Sequence, residues 1–219
     1  MSELRWDPLR QEWLITATHR MNRTLLPPKD HCPLCPTARG GFETEIPADS
    51  FEIVVFENRF PSLHPVPPIP SIEGTLLNPV KPTLGSCEVV VYTSEHESSM
   101  GALPLQRIEQ LVQVWQDRYC ELSSREHIQY ILIFENRGAE VGVTLHHPHG
   151  QIYAFPFVPP IPQKELDAAR EYKKVNDNCL FCTIIQQEME SKERVVAVNK
   201  SFVSFVPFAA RYPFEVHLY

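Results

Sequence analysis

The sequence predicts an α+β fold, an antiparallel sheet backed by helices, and three observations carry that prediction. Short β-branched and aromatic runs outnumber helical stretches, one strongly periodic segment sits among them, and a pattern of a cysteine pair followed by strands occurs twice. Taken in order, Arg10 to Ala17 (RQEWLITA) alternates well enough for a strand, and His19-Arg20-Met21-Asn22-Arg23 follows as a polar turn. Phe51 to Phe56 (FEIVVF) and Glu88 to Thr93 are β-branched and aromatic runs. The proline-rich stretch between them, residues 61–82, reads as a loop or covering arm, because proline removes ladder donors and fixes φ. From Pro104 to Leu122 the apolar positions Leu105, Ile108, Leu111, Val112, Trp115, Tyr119 and Leu122 recur at helical spacing, with Pro104 suited to the first turn. Ile128 to Phe134 (IQYILIF) is an apolar strand, Glu135-Asn136-Arg137-Gly138 a turn, and Val141 to Leu145 leads into a histidine cluster.

The duplicated pattern sets the domain organisation. After Cys32 and Cys35 come FEIVVFENRFPSL and CEVVVYTSEH; after Cys179 and Cys182 come RVVAVNKSFVSFV and FEVHLY. Two tandem copies of one fold are expected: residues 1–158, a linker with a helix near Lys164 to Val175 over 159–178, and a second, truncated copy over 179–219. The second copy stops inside a strand at Tyr219, which implies that the natural protein continues beyond it.

Composition narrows the function classes. A chain of 219 residues, 43% hydrophobic, can bury a sizeable core. Its net charge of −7 argues against nucleic acid as a partner, since such proteins present a basic stripe. No run approaches the roughly 20 apolar residues of a membrane span, and the opening MSELRWDPLR lacks a secretion signal, so a cytoplasmic enzyme is expected.

The most informative segment is Leu145-His146-His147-Pro148-His149-Gly150-Gln151-Ile152. In an extended chain His147, His149 and Gln151 project to one face, and His146, Pro148 and Gly150 to the other. A phosphate or metal would meet two imidazoles and an amide. Gly150 would let a ligand approach the backbone, and Pro148 restricts the chain between the rings. A second chemical signal comes from Cys32-Pro33-Leu34-Cys35 and Cys179-Leu180-Phe181-Cys182. Thiolates two residues apart can reach one tetrahedral ion, and a reducing compartment leaves them free to bind zinc. One pair needs two further ligands. His96 and a histidine of the 146–149 cluster are the natural donors for the first pair, while closure of all four cysteines around one ion is the alternative. Neither pair has the strand-to-helix setting of a redox dithiol, and Cys87 and Cys120 read as small buried residues.

The HPHGQ motif continuing into IYAFPFVPP, the first cysteine pair, His96 and the duplicated layout together resemble the galactose-1-phosphate uridylyltransferase family of the histidine-triad superfamily. Both copies would then be histidine-triad-like. The resemblance implies a two-step exchange: His149 attacks the α-phosphorus of UDP-glucose, glucose 1-phosphate leaves, and galactose 1-phosphate takes the uridylyl group. Hydrolytic members of the superfamily carry a third histidine where this chain has Gln151. An amide there can bind phosphoryl oxygens without titrating. The resemblance further implies zinc on Cys32, Cys35, His96 and His147, and substrate contacts from Arg20, Arg23, Asn58, Asn136, Thr144 and Gln151. It also implies a homodimer at full length. His146 stands where the family commonly has proline, and Cys179 and Cys182, or Glu165, mark a second metal site whose remaining ligands would lie past Tyr219. Nucleotide phosphorylases that pass an adenylyl group to phosphate share the glutamine-bearing motif, and a non-catalytic zinc-binding module is the reading outside enzymes.

Overall fold

The computed structural model describes residues 2–17, 27, 31–38 and 41–219. Arg20, Arg23 and the polar turn around them lie outside the described residues. The chain divides into two compact units, residues 1–159 and 160–219.

In the first unit, β1 (Ser2–Asp7) and β2 (Glu12–Ala17) form an antiparallel hairpin whose turn places Gln11 at φ 55°. β1 carries too few apolar residues to announce itself as a strand, yet Leu4 is buried and Trp6 packs edge-on against Trp13. The proline-rich arm is largely irregular, as expected, but ends in β4 (Val80–Pro82) on the other edge of β1. Buried Glu3 holds the arm by accepting hydrogen bonds from the Ser71 N–H and hydroxyl.

The main sheet is antiparallel, in the order β3 (Val54–Glu57), β5 (Ser86–Val91), β7 (His149–Phe155), β6 (Tyr130–Phe134). Every residue of β5 is buried, because the strand is central and covered on both faces. One face, with Val90, Ile152 and Ala154, packs on Leu111 and Leu122 of helix α1 (Leu105–Ser123). The other, with Val89 and Val91, packs on the Cys32, Leu34 and Ile46 loop.

Three expectations change. The buried face of α1 is narrower than its apolar content implied: Ile108, Leu111, Trp115 and Leu122 turn inward, whereas Leu105, Val112 and Tyr119, seven residues apart, form an exposed stripe. Pro104 is the N-cap and not part of the first turn. Cys120 is exposed on the solvent side of α1, while Cys87 is buried and its sulfur accepts the Leu63 N–H. Val141 to Leu145, which leads into the histidine cluster, forms no strand, and β7 starts at His149.

In the second unit, α2 (Pro160–Asn176) and α3 (Leu180–Ser191) precede an antiparallel sheet ordered β10 (His217–Leu218), β9 (Val203–Phe205), β8 (Val195–Val198). Buried Glu188 of α3 pairs with Arg194, and Phe205 stacks on Tyr219 at 5.3 Å between ring centroids. α3 has no counterpart after the first cysteine pair among the described residues. Cys179 is its N-cap, but a helix and not a strand precedes it, so the pair lacks the strand-to-helix setting of a redox dithiol. Among the described residues no helix is long and apolar enough to cross a membrane.

Candidate active site and metal centre

β7 runs between β5 and β6, with His149 opposite Val91 and Gln151 opposite both Val89 and Phe134. Residues directly opposite share a face of the sheet, so His149 and Gln151 look toward the cysteine loop. Gly150 lies on the α1 face. A Cβ there would collide with the Tyr92 hydroxyl and lie 3.0 Å from the Phe134 carbonyl oxygen. The glycine therefore makes room for Tyr92, and not for a ligand as the motif alone suggested.

The His149 ring has an assigned tautomer. Its Nδ1 is 2.7 Å from the His147 carbonyl oxygen, and a carbonyl only accepts, so Nδ1 carries hydrogen and Nε2 presents its lone pair. Burial holds this ring below the usual imidazole range, against the opposing pull of that hydrogen bond and of Glu135. A neutral ring with a free Nε2 is the nucleophilic form. On the same face, Gln151 Oε1 is 3.5 Å from Asn58 Nδ2, which orients the amide so that its NH2 is the donor left for a ligand. Asn58 is in turn fixed: its Oδ1 accepts the Phe60 N–H at 2.9 Å, and its own N–H donates to the Cys87 carbonyl at 2.8 Å. It is both a turn residue and a partner of Gln151.

Beside this strand the ligand atoms of Cys32, Cys35, His96 and His147 lie within 4.8 Å of one another. The Cys35 sulfur is 3.4 Å from His96 Nδ1 and 3.5 Å from His147 Nδ1, and the Cys32 sulfur is 4.0 Å from His147 Nδ1. A tetrahedral ion bound at roughly 2.0 to 2.3 Å separates its ligands by about 3.3 to 3.8 Å, so the four donors fit one ion. His96 and His147 supply the two further donors that the first cysteine pair needs. His147 is prepared for the role: its Nε2–H donates to the Thr93 carbonyl at 2.8 Å, which turns Nδ1 toward the sulfurs, and burial keeps the ring neutral. Burial and the neighbouring Cys32 push the Cys35 thiol up to about 11, and a divalent cation is what would hold it as thiolate. The Cys35 carbonyl is bound by the Thr44 hydroxyl at 2.7 Å, and the Glu45 N–H donates to the Pro33 carbonyl, which closes the loop.

The other predicted residues are more scattered. Asn136 is exposed just past β6, Thr144 is half-buried ahead of the histidines, and His146 is exposed while its neighbour His147 is buried. Cys179 and Cys182 are exposed on α3, and Glu165 is exposed on α2. Among the described residues, the Cys32 cluster is the one group of three or more metal-ligating side chains. A groove lined by Glu52, Val55, Gln110 and Val114 lies on the α1 side of the sheet, opposite His149. Sequence reasoning missed Thr93, Tyr92 and Glu135. Thr93 acts through its backbone carbonyl and leaves no side-chain signal; Gly150 was the visible trace of Tyr92.

A strand presenting a tethered histidine and an oriented amide, beside a two-cysteine, two-histidine cluster that could hold a metal ion, defines an α+β domain built around a histidine-bearing strand. The chain belongs to the galactose-1-phosphate uridyl transferase family, whose N-terminal domain matches residues 1–159. It is 43% identical over its whole length to the galactose-1-phosphate uridylyltransferase of Thermotoga maritima, of which it covers 66%. Among solved structures it superposes on a uridylyltransferase with a TM-score of 0.82 at 34% identity, covering 99% of this chain and 65% of that one. An ADP-glucose phosphorylase from Arabidopsis thaliana, solved with ADP-glucose bound, gives a TM-score of 0.66 at 26% identity over 100% of this chain and 67% of that one. The chain thus spans just under two thirds of the length of these two uridylyltransferases.

Proposed function

We propose that the protein exchanges UMP between UDP-glucose and galactose 1-phosphate through a covalent uridylyl-histidine at His149. The observation that carries this reading is the His149 Nδ1–H bond to the His147 carbonyl with Gln151 on the same face. His149 Nε2 attacks the α-phosphorus; a P–N bond forms, the bond to the bridging oxygen breaks, and glucose 1-phosphate leaves with the electron pair. The ring then carries positive charge, and the His147 carbonyl stabilises it through the retained Nδ1–H. A phosphate oxygen of galactose 1-phosphate attacks the same phosphorus, the P–N bond breaks, and neutral His149 returns. The Gln151 NH2 donates to oxygens of the transferring group, a positioning and charge-stabilising task with no proton to give water. Asn58, Asn136, Thr144, Arg20 and Arg23 are the proposed substrate contacts.

Zinc is the ion proposed for Cys32, Cys35, His96 and His147, since two thiolates and two imidazoles at tetrahedral spacing suit it. Bound there, it supplies structural anchorage, with all four positions taken by protein. His147 then links scaffold to chemistry: its ring belongs to the cluster and its carbonyl holds the nucleophile.

The fold match to an ADP-glucose phosphorylase favours a second reading, adenylyl transfer to phosphate on the same histidine. The test is incubation with UDP-glucose or ADP-glucose labelled at the α-phosphorus, denaturation, and assay for protein-bound label that resists base and is lost in acid. Label from UDP-glucose supports uridylyl transfer, label from ADP-glucose alone supports the second reading, and no label from either leaves a non-catalytic zinc-binding module.

A further inference from the structure

Cys87 is a fully buried thiol on the central strand β5, and the proposed chemistry makes no use of it. Its carbonyl accepts the Asn58 N–H at 2.8 Å and its sulfur accepts the Leu63 N–H at 3.4 Å, so both ends of the 58–63 turn are fastened to one residue. The next residue is fastened as well. The His64 N–H donates to the Thr83 carbonyl at 2.8 Å, and the Gly85 N–H donates to the His64 carbonyl at 3.1 Å. Leu63 is fully buried against Cys87 and Phe155, and Gly85 leaves room for it: a Cβ there would lie 3.0 Å from the Leu63 Cβ and 2.5 Å from the Ala154 carbonyl oxygen. The turn carries the Asn58 side chain, whose Oδ1 accepts the Phe60 N–H and whose Nδ2 meets the Gln151 oxygen. The proline-rich arm leaves and re-enters the fold at this base, and its own hold, Ser71 on Glu3, is separate.

We propose that Cys87 is a positioning residue for the transfer, its sulfur clasping the 58–63 turn so that Asn58 holds the Gln151 amide in one orientation. The proposal rests on the reading of His149 and Gln151 only for its effect on rate; the clasp itself is a property of the fold. Sulfur is a weak acceptor, but a buried backbone N–H left without any acceptor is costly, so the Leu63 N–H binds the turn to β5 wherever the sulfur is present. Removing the sulfur frees the far end of the turn while the Cys87 carbonyl still holds its near end. The loosened turn then lets Asn58 swing away from Gln151. The clasp also separates the site from the arm, because movement beyond His64 has to pass the pairing of His64 with Thr83 and Gly85 before it reaches Asn58.

The test uses the whole protein with Cys87→Ala, Cys87→Ser, Ser71→Ala and the Cys87→Ala/Asn58→Ala double variant. Two readouts are taken: amide hydrogen exchange over residues 58–64, with α1 as reference, and the single-turnover rate of covalent labelling at saturating UDP-glucose. Cys87→Ala is expected to speed exchange in 58–64 while α1 stays protected, and to slow labelling about fivefold, since a positioning contact is loosened. Cys87→Ser keeps an acceptor for the Leu63 N–H and is expected to restore both readouts. In the double variant the change at Cys87 is expected to add nothing to the loss from Asn58→Ala, because it acts through that residue. Ser71→Ala releases the arm and is expected to leave labelling unchanged. Unchanged exchange in 58–64, a serine variant as slow as the alanine one, multiplying effects in the double variant, or exchange rising equally in α1 would each overturn the clasp. A wild-type protein that takes no label would overturn the uridylyl reading instead, with the exchange measurement still deciding the clasp.

Discussion

The His147 carbonyl oxygen accepts the Nδ1–H of His149 at 2.7 Å, while the His147 ring turns its own Nδ1 to the sulfurs of Cys32 and Cys35. One residue thereby ties the Cys/His cluster to the proposed nucleophile. Removing the cluster should damage chemistry at a distance. Cys32→Ser or Cys35→Ser is expected to lower bound zinc from about one per chain toward zero, and to reduce covalent labelling by at least about tenfold. Elemental analysis and the labelling assay check this together. Zinc loss with an undiminished labelling rate would separate the two sites.

Asn58 holds the Gln151 amide by its oxygen. Asn58→Ala releases that constraint, and the amide can then present oxygen to the phosphoryl group. A fall in labelling rate of about tenfold is expected, with Gln151→Ala falling further, toward 100-fold, the scale of a lost oxyanion donor. Equal rates for wild type and Asn58→Ala would remove Asn58 from the site.

The sheet is fastened to its helix by charge as well as by apolar packing. Arg118 of α1 donates to both carboxylate oxygens of Glu88 on β5, at 2.6 and 2.9 Å, and Glu88 is buried. Arg118→Ala leaves a buried carboxylate without its partner and is expected to cost about 3 kcal/mol in denaturant unfolding. Arg118→Met with Glu88→Gln should recover most of the loss, because no charge is then stranded. A cost below about 1 kcal/mol for Arg118→Ala would show that water reaches Glu88 freely.

The acid limb of stability has an identifiable contributor. Arg125 and then Arg118 hold the Glu121 carboxyl below its ordinary range. A group whose pKa is lowered on folding adds stability above its unfolded value, near 4.5, and loses that contribution as pH falls through the folded value. Glu121→Gln should therefore destabilise the protein slightly at pH 7 and make no difference once both states are protonated. Urea midpoints at pH 7 and pH 3 compare the two.

What the sequence disclosed followed from side-chain chemistry and period. Val89, Val91 and Leu111 announced a strand and a helix because β-branched runs and 3.6-residue spacing are local properties. Cys32 and Cys35 are identifiable because thiols two residues apart have few other uses, with His96 and a histidine of the 146–149 cluster as natural further donors, while the choice of His147 is what the family resemblance implies. What remained hidden depends on partners far away in sequence. β1 is a strand because β2 and β4 flank it, and α3 follows Cys179 although its pair reads like the first. Gly150 shows the limit best. Its small size was visible, but whether it served a ligand or Tyr92 depended on which face of β7 met α1.

The central claim is that His149 Nε2 forms the covalent bond to phosphorus. Its most direct test is peptide mass mapping of the protein after exposure to UDP-glucose without acceptor, quenched under basic conditions. One uridylyl adduct is expected, on the peptide spanning residues 145–152 and located to His149, absent from His149→Ala and discharged by galactose 1-phosphate. An adduct on another residue, or one persisting in His149→Ala, would contradict it.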